Sequence, residues 1–396
     1  MRVRYFVDTR FPIERANGVQ TMATCHALAL RGHDVQLLAR EAPSRLQRFG
    51  EASADAFAFY GWPVTPKLHI EYVATDASIA LRRAQYLFAA VRRALAGPAD
   101  VMMTRDLGLA ALLLRVPRPA RPPVVYESHG ISPIVRAEMA SLLGKPELTP
   151  PASTLARLDR RERFVWRKAD AYVTITGALQ DELRERYGPR DRVFVVPDGA
   201  RMIDAPAMPA GPPTAGYAGH LYPWKGVDVF VRALAKAPAV RGLIVGGHPG
   251  EPDLARVQAL VKALRLDDRV RITGLIPPAD VAARLAEATM LVLPNPSSAT
   301  SERYTSPLKL FEYLALARPI VASDLPAIRE ILTGEKTALL IPAGDPDALA
   351  SAMSRLAEDP ALANRLAAAS RALAADYTWV RRAERLEPAL TEAIGR

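Results

Sequence analysis

The chain sets out the same pattern twice. From Val3 to Val196, short apolar strand signals alternate with helical ones; the alternation stops over Pro197–Pro213 (PDGARMIDAPAMPAGPP) and restarts at Thr214. Prolines and glycines at that density mark a linker. Strands that alternate with helices pair in parallel, because each helix carries the chain back across the sheet. The predicted fold is therefore α/β, with two doubly wound parallel sheets facing across a cleft. The first domain spans 1–197, the linker 198–213 and the second domain 214–376. A last helical segment covers 377–396.

A chain of 396 residues exceeds one ordinary core, which agrees with two domains. The single Cys25, set in an apolar helical pattern, leaves no intrachain disulfide and fits a reducing compartment. The opening MRVRYFVDTR reads as a charged strand rather than a signal peptide. The most apolar run, Leu107–Leu114, falls far short of the roughly 18 residues a membrane span needs. These features predict a cytoplasmic protein, soluble or peripheral on the inner face of the membrane. Over residues 1–200, 29 Lys and Arg stand against 21 Asp and Glu, so +8 of the net +10 lies there. Arg82, Arg83, Arg92 and Arg93 share a helical stretch with Leu81, Tyr86, Leu87 and Phe88. Arg157, Arg160, Arg161, Arg163, Arg167 and Lys168 crowd another around Phe164 and Trp166. Such helices suit an anionic membrane surface or present a solvated face. No nucleic-acid motif accompanies the charge, so nucleic acid is not an expected partner.

Ser301–Asp324 (SERYTSPLKLFEYLALARPIVASD) carries the strongest functional signal. Met290–Leu293 reads as a buried strand and Pro294–Thr305 as a polar loop. Ser306-Pro307 has the form of a helix start, with Ser306 capping and Pro307 first in the helix. Lys309 and Glu312 interrupt an apolar run three residues apart, hence on one face. A carboxylate there needs a hydrogen-bonding partner: a ribose diol, or Lys309 itself. A capped helix N-terminus beyond a parallel strand is a ready phosphate site.

Other strand exits add candidates. Tyr217–Gly226 (YAGHLYPWKG) is a strand–turn–helix in which Gly219 lets backbone near a phosphate and Lys225 supplies a cation. His220 donates to phosphate if aimed inward and is otherwise a polar turn residue. Gly246, Gly247 and Gly274 leave room for a base or ribose, or simply make turns. Asn17-Gly18 opens the first helix at the cleft-facing end of the first strand, Glu127 and His129 leave the strand in VVYESHG where a side chain can meet a substrate, and Asp198 follows the last strand of the first domain. No metal-ligand cluster is visible, so no metal and no cofactor is expected; Lys, His and a helix terminus would neutralise a leaving diphosphate.

Together NGVQTMATCHALALRGHDV, VVYESHG, VVPDGAR, YAGHLYPWKG and SERYTSPLKLFEYLALARPIVASDLP resemble the retaining glycosyltransferases of family four, which have the GT-B fold. The resemblance covers nearly the whole chain, and the last stretch is its most specific part. It implies metal-free transfer of a sugar from a UDP- or GDP-sugar to an acceptor held by the first domain. A saccharide or lipid-linked saccharide is the expected acceptor. It also implies that the final helix, around Trp379, returns to the first domain. Glu312 matches the glutamate that holds the donor ribose, with Leu308 beside it. Lys225 matches the lysine on the diphosphate, His129 a histidine near the donor sugar, and Gly18 the loop near phosphate and acceptor. Tyr304 stands where the first of two paired glutamates is expected, with Glu302 nearby, and His220 stands where the family usually has Arg. The chain shares these departures with a Tyr-x-Ser-Pro-x-Lys subgroup, in which Lys309 takes over a phosphate charge. A nucleotide-sugar epimerase or hydrolase, or a nucleotide-binding scaffold, is the alternative on the same fold.

Overall fold

The computed structural model describes residues 1–41, 56–75, 78–143, 145–204 and 207–395. Residues 42–55 of the Pro- and Gly-dotted region after the second strand, and Ala205-Pro206 of the expected linker, lie outside these. The chain divides into two compact units: Met1–Arg136, Pro150–Asp198 and Trp379–Arg396 form the first, and Ala137–Thr149 with Gly199–Thr378 the second.

Seven parallel strands build the first unit: β1 (Arg2–Phe11), β2 (Asp34–Glu41), β3 (Leu68–Val73), β4 (Val101–Thr104), β5 (Val124–Ser128), β6 (Ala171–Thr174) and β7 (Val193–Val195). Their order is β3-β2-β1-β4-β5-β6-β7. β4, β5 and β6 are buried throughout, as near-continuous apolar runs in a parallel sheet should be. The helix Ala16–Leu30 is buried along most of its length, and Trp379–Ile394 packs against it and against β6 and β7.

The second unit has six parallel strands: β8 (Thr214–Ala218), β9 (Arg241–Val245), β10 (Val270–Ile272), β11 (Met290–Leu293), β12 (Ile320–Ser323) and β13 (Leu339–Ile341). The order is β10-β9-β8-β11-β12-β13. In each sheet the order reverses beside the first strand of the unit, at β1/β4 and β8/β11. Those switch points open a crevice at the carboxyl ends of the strands, the usual place for a ligand in open α/β sheets.

Local chemistry departs from expectation in two places. Pro294–Thr305 is not all loop: Ala299–Arg303 forms a short helix, capped by Ser298, whose hydroxyl accepts from Ser301 N. The following helix is Leu308–Ala315, with Pro307 at the cap position and no side-chain capping bond. Pro307 at φ −75°, ψ 119° is extended and takes the cap position itself, so the helix starts later than Ser306-Pro307 predicts.

Candidate functional site

The turn leaving β8 is shaped by two glycines. Gly219 has φ 126° and Gly226 φ 75°, with the 3₁₀ turn Pro223–Lys225 between them. A Cβ on Gly226 would stand 1.7 Å from the carbonyl oxygen of Pro294. The turn therefore presses on the chain leaving β11, which closes the switch-point loop. Gly226→Ala is expected to destabilise the protein by about 2 kcal/mol or more, from left-handed backbone strain and this clash. A urea midpoint equal to wild type would refute the packing.

Lys309 enters this turn from the helix Leu308–Ala315. Its Nζ is buried without a hydrogen-bond partner and sits 4.0 Å from the centre of the Tyr217 ring. The same atom lies 3.6 Å from where a Gly219 Cβ would stand. Burial first, and then the neighbouring charge of Lys225, push the Lys309 pKa well below the ordinary lysine value, while Glu312 pulls the other way. Burial also lowers Lys225. Among the described residues, neither lysine meets a carboxylate within ion-pair distance. Glu312, half-buried one turn along the helix, has its pKa raised by burial, which Lys309 only partly offsets. A buried Lys309 ammonium repelled by the half-buried Lys225, beside a carboxylate that only partly offsets them, makes an incomplete electrostatic unit. A diphosphate supplies the missing negative charge and a ribose diol the missing donors. Tyr313 pins this helix to β8, its hydroxyl accepting from Ala218 N at 2.9 Å. Leu308, half-buried, opens the helix, and the N–H groups of Leu308 and Lys309 belong to its free first turn.

Several expected contacts are taken by the protein itself. A Cβ on Gly246 would meet the Gly219 carbonyl oxygen at 2.1 Å, and Gly246 bridges Gly274. A Cβ on Gly247 would come within 2.8 Å of Leu254. Gly246 thus packs against the Gly219 backbone and Gly247 against Leu254 of the helix Pro252–Ala263, so the room their missing side chains leave is filled by the protein. His220 is drawn to Glu251, Nδ1 to Oε2 at 3.2 Å, and stacks on Tyr222, whose hydroxyl donates to the same carboxylate. Glu302 accepts from Ser297, and Tyr304 is buried just after that short helix.

In the first unit, His129 leaves β5 with Nε2 2.5 Å from Glu127 Oε1. Glu127 was expected to face a substrate; instead it is fully enclosed. Gln20 Nε2 (2.6 Å) and Arg382 Nη2 (2.7 Å) donate to the same carboxylate. Burial raises the Glu127 pKa, but Arg382, His129 and Arg105 together outweigh it and hold the group ionised, well below the carboxylate range. An ionised carboxylate only accepts, so His129 carries its proton on Nε2 and leaves Nδ1 as an acceptor. Burial and Arg105 lower the His129 pKa to about 4, keeping the ring neutral at pH 7. Arg382 is wholly buried and also donates to Val196 O (2.7 Å), Pro197 O (2.9 Å) and Thr24 Oγ1 (3.1 Å). Asp198 belongs to this unit rather than to a linker; it lies 3.5 Å from Arg382, and burial raises its pKa to about 6. Gly18 is packed, not open, since a Cβ there would meet Ile13 and Tyr60 at 2.5 Å. Asn17 donates to Thr9 at 3.1 Å. Sequence reasoning missed Gln20, Arg105 and Arg382, because no local motif links residues so far apart.

Residues 17–199 match the family model of the glycosyl transferase 4-like domain, and 212–359 that of glycosyl transferases group 1. The chain belongs to the group 1 and 4-like glycosyl transferases. A relative among these is the alpha-D-kanosaminyltransferase of Streptomyces kanamyceticus, 28% identical over 61% of this chain. The match spans only 56% of that relative's own length. Among solved structures, the sucrose-phosphate synthase of Thermosynechococcus elongatus superposes with TM-score 0.78 at 19% identity, covering 98% of this chain and 97% of its own. Anabaena HepE, solved with UDP and glucose, gives 0.71 at 17% identity, with 99% of each chain covered. Two parallel α/β units with a helical C-terminus are the GT-B fold, which this glycosyl transferase shares.

Proposed function

We propose that this glycosyl transferase moves a hexose-type sugar from a UDP- or GDP-sugar to an acceptor hydroxyl on a saccharide or lipid-linked saccharide. The observation that carries the reading is the buried, unneutralised Lys309 Nζ beside Lys225. Charge that develops on the leaving diphosphate meets both lysines and the first-turn N–H groups, which are already in place, so little reorganisation is needed. This assigns to side chains the neutralisation that a metal ion would otherwise give. Glu312 accepts from the ribose diol. Nδ1 of His129 accepts from a hydroxyl of the donor sugar. Retention rests on the resemblance to family four. Leu81, Phe88 and Leu95 are exposed at seven-residue spacing on one helix face, which suits peripheral contact with an anionic membrane. Among the described residues no helix is long and apolar enough to cross one.

A panel of UDP-, GDP- and ADP-sugars should contain one donor that raises the melting temperature. A donor at a hundredfold excess over its Kd adds about 2.7 kcal/mol to stability. Transfer measured after EDTA treatment should proceed at an unchanged rate. A flat response across the whole panel sinks the reading.

A further inference from the structure

The chain leaving β11 carries a buried carboxamide oxygen that the protein does not pair. Asn295 is 3% exposed, and among the described residues no donor reaches its Oδ1. Its neighbours in the same loop are matched. Ser301 Oγ donates to Pro296 O at 2.5 Å, Ser301 N to Ser298 Oγ at 3.1 Å, and Ser297 to Glu302. Folded proteins pair nearly all such groups, because an enclosed amide oxygen without a donor gives up its hydration and gains nothing in return. One that persists at a strand exit calls for a partner from outside the protein.

Its place says which partner. Asn295 lies two residues beyond β11, at the β8/β11 switch point where open α/β sheets take ligands. Its backbone N stands 3.3 Å from where a Gly226 Cβ would be, and Gly226 follows Lys225. An ionised diphosphate only accepts hydrogen bonds, so the group that Lys225 attracts cannot satisfy another acceptor. A hydroxyl can. In a nucleotide-diphosphate sugar the sugar is bonded directly to the diphosphate, whereas the base is set off from it by the ribose. A group beside the diphosphate lysine therefore meets the sugar. We propose that Asn295 is a specificity-determining residue, its Oδ1 accepting from a hydroxyl of the transferred sugar. The assignment rests on the donor reading above and narrows it. A sugar that lacks this hydroxyl, or turns it the other way, leaves the oxygen unpaired and is rejected.

Calorimetry with UDP, GDP, UDP-glucose, UDP-galactose and GDP-mannose on wild type, Asn295→Leu and Lys225→Ala tests it. Wild type should bind at least one sugar nucleotide more tightly than its bare nucleotide. Asn295→Leu, close in volume but without the acceptor, should weaken that sugar nucleotide about tenfold or more and leave the bare nucleotide unchanged. Lys225→Ala should weaken both. Monodeoxy forms of the preferred sugar nucleotide identify the hydroxyl, since one of them should bind wild type and Asn295→Leu equally. The melting temperature of free Asn295→Leu should match or exceed wild type, and Asn295→Ala repeats the comparison should leucine not fit. Three results overturn the assignment while the donor site stands: Asn295→Leu weakens nucleotide and sugar nucleotide equally, it weakens neither, or wild type binds every sugar nucleotide no better than its nucleotide. Failure of both UDP and GDP to bind wild type instead removes the donor reading, and the assignment with it.

Discussion

Lys309→Ala should lower kcat/KM for the donor by about two to three orders of magnitude while leaving the fold intact or firmer. The activity loss follows from removing a positioned cation aimed at charge that develops on the leaving group, an effect of that size where water is excluded. The stability gain follows from the other side of the same fact. In the free protein Lys309 Nζ has the face of Tyr217 and the pull of Glu312 against burial and the repulsion of Lys225, so its removal relieves a buried ammonium without a hydrogen bond. Lys225→Ala should show the same split. A melting temperature that falls with activity would make both lysines structural. A second readout isolates the mechanism. Because the Lys309 pKa is depressed in the free protein, a bound diphosphate must raise it again. Donor binding should therefore take up a proton at pH values above the depressed pKa, and affinity should fall as pH rises through it. Calorimetry in buffers of different ionisation heat measures that uptake directly.

Arg382→Met should cost about 3–5 kcal/mol, the toll of leaving a buried carboxylate unpartnered. Glu127 would keep Gln20 and His129 but lose its full counter-charge, and Asp198 would lose its nearest cation. Two backbone carbonyls, of Val196 and Pro197, would lose their donor as well. Urea denaturation gives the value. Glu127→Gln/Arg382→Met should recover part of the loss, since a neutral amide in that place no longer calls for a cation. If the double variant is no more stable than Arg382→Met alone, the Glu127 charge is not what the arginine serves.

The two sheets were legible because β4, β5, β6, β11 and β12 are written as near-continuous apolar runs of a length that suits strands and not helices. The lysine pair was legible for a related reason: Lys225 follows a strand and a glycine turn, and Lys309 interrupts an apolar helix. Short-range chemistry was harder to place. Ser306-Pro307 has the composition of a helix start, but proline tolerates the extended cap position as readily as the first helical one, and composition does not choose between them. Gly246 and Gly247 show a different ambiguity, since a missing side chain makes room equally for a ligand and for a neighbouring part of the chain. The Gly219 carbonyl fills that room at Gly246. Glu127 could not be placed from its neighbours because its partner Arg382 stands 255 residues further on.

Synthesis of the protein runs against the order of its units. The first unit draws on residues from 379 onward, and without Arg382 its carboxylates at 127 and 198 have no buried cation to meet. Multidomain chains usually fold their N-terminal domain first as it leaves the ribosome. Here the nascent first unit must wait, incomplete, while 199–378 are made. The second unit has all its strands once Leu339–Ile341 has emerged. The first unit is therefore completed by the last helix to be made, and a chain ending before residue 382 would carry it without the arginine that its two carboxylates meet.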